Sequence, residues 1–208
     1  ASGIAHMHAH KVIHRDIKPE NLLVGVSEGA GASEPGALVC KVCDMGWARP
    51  VQRHAAMTPG AATPAWRAPE ICLGMPYHES ADVWSLGLVA MELFTGHCWV
   101  TGPRRPATNI VLVWITCLVG PLDRERWPAL QESRRYGAFR LTEEAKSPRG
   151  KWPQAEHPFS SPARTLSKDE EDLTRKILRL NPEQRLTAKD VAEHRAICGG
   201  ASQPAPST

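Results

Sequence analysis

The sequence predicts a mainly α-helical fold with one short β-hairpin near its start. The stretch from Ser80 to Phe94 is apolar almost all round, which is typical of a helix buried at the centre of a domain. Two short apolar runs, 22–24 and 38–43, are separated by a loop and predict a hairpin. Apolar residues make up 42% of the 208 residues, so the chain can bury a sizeable core.

Residues 1–10 are predicted to be the end of a helix, because Ile4 and Met7 recur at helical spacing. Val12-Ile13 follows as a short strand. The hairpin connection, from Gly25 to Gly36, is rich in Gly, Ala, Ser and Glu. The segment from Trp47 to Pro64 has no convincing periodicity, and we interpret it as a long loop of functional importance.

The second half is predicted to be helical, with an irregular insertion at 119–165. Ser80 and Gly96 are expected to cap the start and end of the central helix. Asn109–Leu118 is predicted to be a second long helix. Two later helices are predicted from their capping signals. Ser167 and Glu170 form a capping box before the apolar residues Leu173, Ile177 and Leu178. Thr187 is expected to cap a last short helix that contains Val191.

Composition and charge exclude several classes of function. The formal charge of +3 is too small to indicate nucleic-acid binding. The longest uncharged apolar run, Ile110–Val119, is about half a membrane span, so no membrane partner is predicted. The start of the chain shows no signal-peptide pattern. The cysteines, considered next, predict a reducing, intracellular location, in the cytoplasm or the nucleus.

The cysteines and histidines raise the alternative of a metal or redox module. Cys40 and Cys43 have the spacing of a metal-binding pair, but no second pair completes a four-ligand zinc site. We therefore expect free, buried thiols in a reducing compartment. The histidine tract consists of His6, His8, His10 and His14. Half of these fall in a helix that is ending, and no metal role is predicted for them.

The octet HRDIKPEN, residues 14–21, places five ionisable side chains and an amide directly after an apolar pair. Alone, it fits either a solvated surface loop or a catalytic loop. Three further motifs follow in order: Asp44-Met45-Gly46, Arg67-Ala68-Pro69-Glu70, and Asp82-Val83-Trp84-Ser85-Leu86-Gly87. Together, the four resemble the large, C-terminal lobe of a eukaryotic protein kinase, over nearly the whole of 1–197. The remaining residues, 198–208, are rich in Pro, Ser and Gly and are predicted to be a disordered tail.

The resemblance implies a serine/threonine kinase that uses ATP and Mg²⁺ and acts on protein substrates. In that family, Asp16 accepts the proton of the substrate hydroxyl, and Lys18 neutralises charge on the transferring phosphoryl group. Thr63 bonds to both of these residues. Asn21 and Asp44 hold the magnesium ions and, through them, the nucleotide phosphates.

The resemblance also implies structural and regulatory residues. Glu70 and Arg185 correspond to a buried ion pair, Asp82 holds the backbone of the catalytic loop, and His14 is a packed core residue. Thr58 corresponds to an activating phosphorylation site and Arg15 to its clamp.

Further features resemble the cyclin-dependent and mitogen-activated kinase group. They are Arg67, the segment from Leu122 to Pro128 and the stretch from Asn181 to Ala188. That group implies a preference for Ser or Thr followed by Pro, determined by Arg67, and a cyclin-like activator as a further partner.

Two departures from the family pattern stand out. Met45 replaces the usual Phe after Asp44. We expect this apolar substitution to change the switch between the active and inactive positions of the loop more than it changes metal binding. No Gly-rich loop and no Val-Ala-Ile-Lys motif precede His14, so we expect this chain to lack the β-rich, nucleotide-cradling N-terminal lobe. A non-catalytic, kinase-like scaffold therefore remains as the alternative function.

Overall fold

A computed structural model describes residues 1–27, 36–51, 62–96, 106–141 and 165–198 of the chain. Helices dominate these ranges, as the sequence predicts. The helices are α1 (Ser2–Ala9), α2 (Pro69–Cys72), α3 (Ser80–Thr95), α4 (Thr108–Val119), α5 (Arg134–Phe139), α6 (Lys168–Ile177), α7 (Ala188–Glu193) and α8 (Arg195–Cys198). Single 3-10 turns lie at Pro19–Asn21, Met45–Trp47, Pro64–Trp66, Pro128–Glu132 and Pro182–Gln184.

The strands form two small antiparallel ladders. The predicted hairpin is confirmed: β2 (Leu22–Val26) pairs with β3 (Leu38–Val42), with Leu22 opposite Val42. The second ladder joins β1 (Val12–Ile13) to β4 (Arg49–Pro50). Together the two ladders flank the HRDIKPEN octet and the Asp44 turn, so they hold the two loops close to each other.

Helix α3 runs through the centre of the core, as its apolar composition predicts. Trp84 and Met91 are completely buried on it. Helix α6 packs across α3 at Gly87, where an added Cβ would lie 2.8 Å from Leu178 Cδ2 and still closer to Ile177. Gly87 therefore permits the close approach of these two helices.

The capping signals of the C-terminal helices are confirmed. Ser167 and Glu170 form a reciprocal capping box at the start of α6. Thr187 forms the equivalent box with Asp190 at the start of α7. At the other end of α3, Gly96 has φ 69°, the left-handed conformation that favours glycine at a helix end.

Several sequence predictions need correction. Ser80 is the first residue of α3 and makes no capping hydrogen bond, because Glu79 occupies the cap position. The segment predicted as a loop from Trp47 contains β4. The segment 119–165, predicted as irregular, contains α5, whose cap is Ser133. Cys198 closes α8 and so does not belong to the predicted tail, whose remaining residues, 199–208, lie outside the described residues.

The cysteines among the described residues are free, as expected, but the expectation that they are buried is wrong for several of them. Cys40 is exposed and Cys43 half-buried, whereas Cys72 is buried and burial raises its pKa to about 12. Within the described ranges, no group of three or more His, Cys, Asp or Glu side chains could hold a metal ion. In the same ranges, no helix has both the length and the apolarity needed to cross a membrane.

Candidate active site

The centre of the candidate site is a hydrogen-bonded cluster of Asp16, Lys18 and Thr63. Lys18 Nζ lies 2.6 Å from Asp16 Oδ2 and donates to Thr63 Oγ1 at 2.9 Å. Thr63 donates to Asp16 Oδ1 twice, from its backbone N–H and its hydroxyl, both at 2.8 Å. The cluster joins residues 47 positions apart and so holds the segment before Arg67 against the catalytic loop.

Asp16 is almost completely buried, yet its side chain is set up to stay ionised. Burial by itself would raise its pKa, but hydrogen bonds from Lys18 and Thr63, with the charge of Lys18, outweigh burial and lower the pKa below its usual value. Asp16 is therefore a carboxylate at neutral pH, able to accept a hydrogen bond from a hydroxyl group.

Asn21 and Asp44 lie at the same end of the hairpin. The Asn21 amide nitrogen donates to Asp16 O at 2.8 Å and to Asp16 Oδ2 at 3.3 Å, so its nitrogen is fully engaged by Asp16. The Cys43 N–H donates to Asn21 O at 3.0 Å, which brings the Asp44 turn beside Asn21. Asp44 is exposed, and its Oδ1 accepts only the local Gly46 N–H within the described residues.

These residues fit a magnesium site in their chemistry. Orienting the nitrogen of Asn21 toward Asp16 leaves an amide oxygen, and Asp44 supplies an exposed carboxylate. Mg²⁺ prefers hard oxygen ligands and is usually held by few protein groups, with water and phosphate completing its shell.

Asp82, from the first turn of α3, holds the backbone of the catalytic loop. Its two carboxylate oxygens accept the N–H groups of His14 and Arg15, both at 2.8 Å. Arg15 has φ 70°, an uncommon conformation for a non-glycine residue. The paired acceptors stabilise this conformation, and they are the contacts that the resemblance implied.

The side chains of Arg15 and His14, at the start of the catalytic loop, are both buried. Arg15 Nε donates to Trp47 O at 2.6 Å, and its NH1 group approaches Tyr77 Oη at 3.4 Å. The His14 ring contacts Cys43 O through Nε2 at 2.9 Å, consistent with a packed core residue. Thr58, the expected phosphorylation site, lies outside the described residues.

Arg67 bonds to the backbone just upstream of itself. Its NH2 group donates to Ala62 O at 2.9 Å, and Ala62 has φ 73°. A left-handed alanine is strained by about 1–2 kcal/mol, so the contact with Arg67 helps to maintain an unusual carbonyl direction. Ser85 on α3 supports the same segment by donating to Trp66 O at 2.8 Å.

Glu70 and Arg185 form a fully buried, two-pronged ion pair. Both hydrogen bonds are 2.6 Å long, and neither side chain is exposed. Arg185 also donates to the carbonyls of Arg179, Leu180 and Ser80, and it stacks over the Trp84 ring at 5.1 Å. The pair ties the segment after Arg67 to the C-terminal helices.

Sequence reasoning missed several contributors to this site. Trp47 contributes a main-chain carbonyl, which has no side-chain signal. Ser85 contacts Trp66, 19 residues away in the sequence, and Tyr77 contacts Arg15, 62 residues away. No local sequence pattern predicts contacts over such separations. His8 contacts Asp82, although the sequence offered it only as one of four histidines in a tract.

The model for the protein kinase domain matches residues 1–197. The chain belongs to the protein kinase family. The match spans all of the predicted motifs and agrees with the mainly helical architecture. The resemblance to the cyclin-dependent and mitogen-activated group is also confirmed, by the relatives that follow.

The relatives include kinases of both branches of that group. The kinase domain is 30% identical over 196 residues to the stress-activated protein kinase JNK of Suberites domuncula, covering 92% of this chain and 50% of the relative. It is 31% identical over 198 residues to the cell division control protein 2 homolog C of Antirrhinum majus, and this match covers 92% of this chain and 56% of the relative. The chain therefore spans about half the length of these relatives.

A solved structure supports the fold. The yeast RNA Pol II CTD kinase CTDK-1 complex contains a chain that superposes with a TM-score of 0.75 at 21% identity. The superposition covers 99% of this chain and 61% of the other. At this identity the likeness establishes the kinase fold.

Proposed function

We propose that this chain supplies the large, catalytic-loop-bearing lobe of an ATP-dependent protein serine/threonine kinase. The observation that carries the proposal is the cluster of Asp16, Lys18, Thr63 and Asn21, in which donors from the other three residues hold the carboxylate of Asp16 in place. A phosphoryl transfer needs positioned charge more than covalent chemistry, and this cluster provides it.

The lowered pKa of Asp16 indicates how it acts. A carboxylate of low basicity first orients the substrate hydroxyl by accepting its hydrogen bond, and takes the proton only as the hydroxyl becomes acidic during transfer. Lys18 lies beside Asp16, where it stabilises negative charge on the transferring group. Asn21 and Asp44 are the residues that would hold Mg²⁺, which would supply positive charge to offset the charge of the ATP phosphates.

The scaffold alternative also has an observation in its favour. The chain spans about half the length of its relatives and contains no Gly-rich, phosphate-binding motif. The exposed apolar residues of the hairpin, Leu23, Val24, Val26 and Leu38, offer a surface for another protein segment. A scaffold does not require the four polar residues of the cluster, which is why we prefer the catalytic function.

Kinase assays on the protein extended by its upstream coding sequence test the proposal. Asp16→Asn should lower kcat by about a hundredfold or more, because it removes the acceptor for the hydroxyl. Glu20→Gln is the matched control, since Glu20 is an exposed carboxylate in the same loop. Undetectable phosphoryl transfer in the extended wild type, with Mg²⁺ and ATP, would favour the scaffold.

We further propose that the complete kinase prefers Ser or Thr followed by Pro. The Arg67–Ala62 contact supports this, because it turns a backbone carbonyl out of the position where it would accept the N–H of the next substrate residue. An unpaired buried N–H costs about 1–3 kcal/mol, whereas proline has no N–H to leave unpaired. The preference would arise because residues other than proline bind less favourably at the position after the phosphorylated Ser or Thr.

A degenerate-peptide screen measures this preference. The expected ratio of Ser-Pro to Ser-Ala phosphorylation is roughly five- to a hundredfold. Arg67→Met should reduce the ratio, and Arg134→Met, at an exposed position, should leave it unchanged. Equal use of both peptides by the wild type would contradict the mechanism.

Thr58 is proposed as the activating phosphorylation site, with Arg15 as the group that binds the phosphate. The contact of Arg15 Nε with Trp47 O supports this role, because it places the guanidinium beside the described start of the segment that contains Thr58. A guanidinium pairs well with a phosphate of about two negative charges. Wild-type activity of full-length Thr58→Ala, with upstream kinases present, would refute the site. A cyclin-like activator and an intracellular location are proposed from the family group alone.

A further inference from the structure

Two histidines at the end of α1 lie together on one exposed face of the helix. His6 and His10 are both exposed, and their ring centroids lie 4.3 Å apart. Residues four apart on a helix are neighbours on the same face, one turn from each other. The pair is separate from the hydrogen-bonded cluster around Asp16, so it has no part in the functions proposed so far.

The backbone of the last turn keeps the two side chains at this spacing. Ala9 is the last helical residue, but His10 has φ −90° and ψ 14°, and its N–H donates to His6 O at 3.2 Å. The helical turn is therefore complete at His10, even though the helix is ending. The expectation that the histidine tract has no metal role did not take account of this turn.

A contact with the backbone determines which nitrogen of His10 carries the proton. His10 Nδ1 lies 2.9 Å from His6 O. A carbonyl oxygen only accepts hydrogen bonds, so Nδ1 is the donor and Nε2 of the neutral ring keeps its lone pair. Metal-binding histidines commonly donate their other ring N–H to a carbonyl in this way, which fixes both the tautomer and the ring orientation.

The separation of the two rings is close to that of two histidines on one metal ion. A bond of about 2.0–2.1 Å from each imidazole nitrogen to a tetrahedral ion places the ring centroids about 5 Å apart. The observed separation is 4.3 Å, so a small rotation of the exposed His6 side chain brings both rings onto one ion.

The position at the end of α1 also favours a cation. The last carbonyls of a helix carry partial negative charge, which attracts positive charge to this end. The next residue, Lys11, is itself positive, but its Nζ is directed toward Glu79 Oε1 at 3.8 Å. Its charge is therefore partly offset.

We propose that His6 and His10 form a binding site for a divalent transition-metal ion, Zn²⁺, with water completing its shell. Imidazole nitrogen suits zinc, whereas magnesium and calcium prefer oxygen ligands. Paired histidines four residues apart on one helical face are a known zinc-binding arrangement. Within the described ranges, no third His, Cys, Asp or Glu side chain completes a cluster with them, so the protein supplies two ligands.

The bound ion would close the last turn of α1. This turn is followed by Lys11, which has φ 58°, an uncommon conformation for a non-glycine residue. An ion that joins His6 to His10 opposes fraying of the turn before Lys11. The site does not involve the candidate magnesium ligands Asn21 and Asp44, and the inference does not depend on the proposed kinase function.

A zinc titration followed by NMR tests the site on the 208-residue chain, purified without a histidine tag. Cys40→Ser and Cys198→Ser remove two exposed thiols, because thiolates also bind zinc. The imidazole resonances of His6 and His10 should shift together, with one common midpoint. The same concentration of Mg²⁺ should leave both resonances unchanged.

Substitution of each histidine tests whether the two act as a pair. His6→Ala and His10→Ala should each weaken zinc binding at least roughly tenfold, because loss of even an outer-shell partner costs about 10–100-fold in affinity. The double variant should bind little more weakly than either single variant. His78→Gln is the matched control, since His78 is an exposed histidine outside α1, and it should bind zinc as the wild type does.

Hydrogen exchange provides a second readout. The amides of His10 and Lys11 bond to carbonyls of the last turn, and opening of that turn would separate the two ligands. With zinc at about ten times its Kd, exchange at these amides should be roughly tenfold slower, because binding favours the closed turn by the factor 1 + [L]/Kd.

Three results would overturn the proposal. They are a zinc-induced shift of neither histidine or of only one, an undiminished affinity in either single variant, and unchanged exchange in the zinc-bound wild type. The melting temperatures of the variants without zinc should equal that of the wild type, because both side chains are exposed. Equal melting temperatures show that a lost affinity is not a loss of folding.

Discussion

At the residue scale, Asp16 shows how contacts decide the chemistry of a side chain. Burial opposes its charge, and three donors from Lys18 and Thr63 more than compensate. The outcome depends on Thr63, which is distant in sequence.

The lowered pKa of Asp16 predicts a pH dependence of stability. The carboxyl group has a pKa of about 3.9 in the unfolded state and a lower pKa in the folded state. Between these two values the unfolded state binds more protons than the folded state, so the protein loses stability as the pH falls. The stabilisation is complete above about pH 4 and is lost below it. Urea unfolding from pH 6 to pH 3 should show the wild type losing stability relative to Asp16→Asn, and a constant difference would contradict the prediction.

The buried ion pair of Glu70 and Arg185 predicts a large loss of stability when one partner is removed. Glu70→Gln should lower the free energy of unfolding by about 3–5 kcal/mol, because Arg185 is left charged and buried. Glu171→Gln is the control, since the exposed Glu171–Arg175 pair should contribute less than about 1 kcal/mol. Urea denaturation measures both, and similar losses in the two variants would argue against the difference in burial.

At the element scale, close helix packing outweighs helix propensity. Gly87 stands in the middle of α3, where glycine costs about 1 kcal/mol relative to alanine. It is nonetheless required where α6 crosses, because Ile177 and Leu178 occupy the space of a Cβ. Local propensity alone would favour the wrong residue at this position.

Alanine substitutions at two helical glycines test this account. Gly87→Ala should destabilise the protein by about 1–3 kcal/mol through overpacking, in spite of the better propensity. Gly137→Ala in α5 should be neutral or stabilising by up to about 1 kcal/mol, because nothing lies within 4 Å of its added Cβ. Thermal unfolding of both variants gives the comparison, and a stabilised Gly87→Ala would show that α6 can move away.

At the scale of the whole molecule, the described part carries an uncovered apolar face. Val24, Val26, Leu38 and Cys40 lie on the face of the hairpin shared with the half-buried Leu22 and Val42, and all four are exposed. Met45, in place of the usual Phe, is 48% exposed beside this hairpin. This exposed apolar face supports the proposal that the hairpin offers a surface for another protein segment.

The 208-residue chain by itself is therefore predicted to be inactive. It provides the catalytic loop and the Asp44 turn but contains no Gly-rich loop to hold the ATP phosphates. A radiolabelled-ATP assay on the purified chain should detect no transfer to substrate. Robust turnover that Asp16→Asn abolishes would show that the chain holds ATP in another way.

The sequence by itself determined the family, the main helices and the hairpin, and it predicted the residues of the candidate site. Period and capping signals suffice for α3, α4, α6 and α7, because these depend on residues within a few positions of one another. The four kinase motifs are equally local. Even so, Ser80 was wrongly expected to cap α3, since the choice between adjacent cap positions depends on the packing of the preceding turn.

Only the tertiary structure decided which of these residues meet. Three contacts could not be predicted from any periodic pattern in the sequence. They are the pairing of β1 with β4, the hydrogen bond from Arg67 to the left-handed Ala62, and the contact between His8 and Asp82. The exposure of Cys40 likewise depends on what covers the hairpin, which alternation along a strand cannot reveal. Local patterns specify elements, whereas the geometry and charge of the site arise from contacts between elements brought together by the common core.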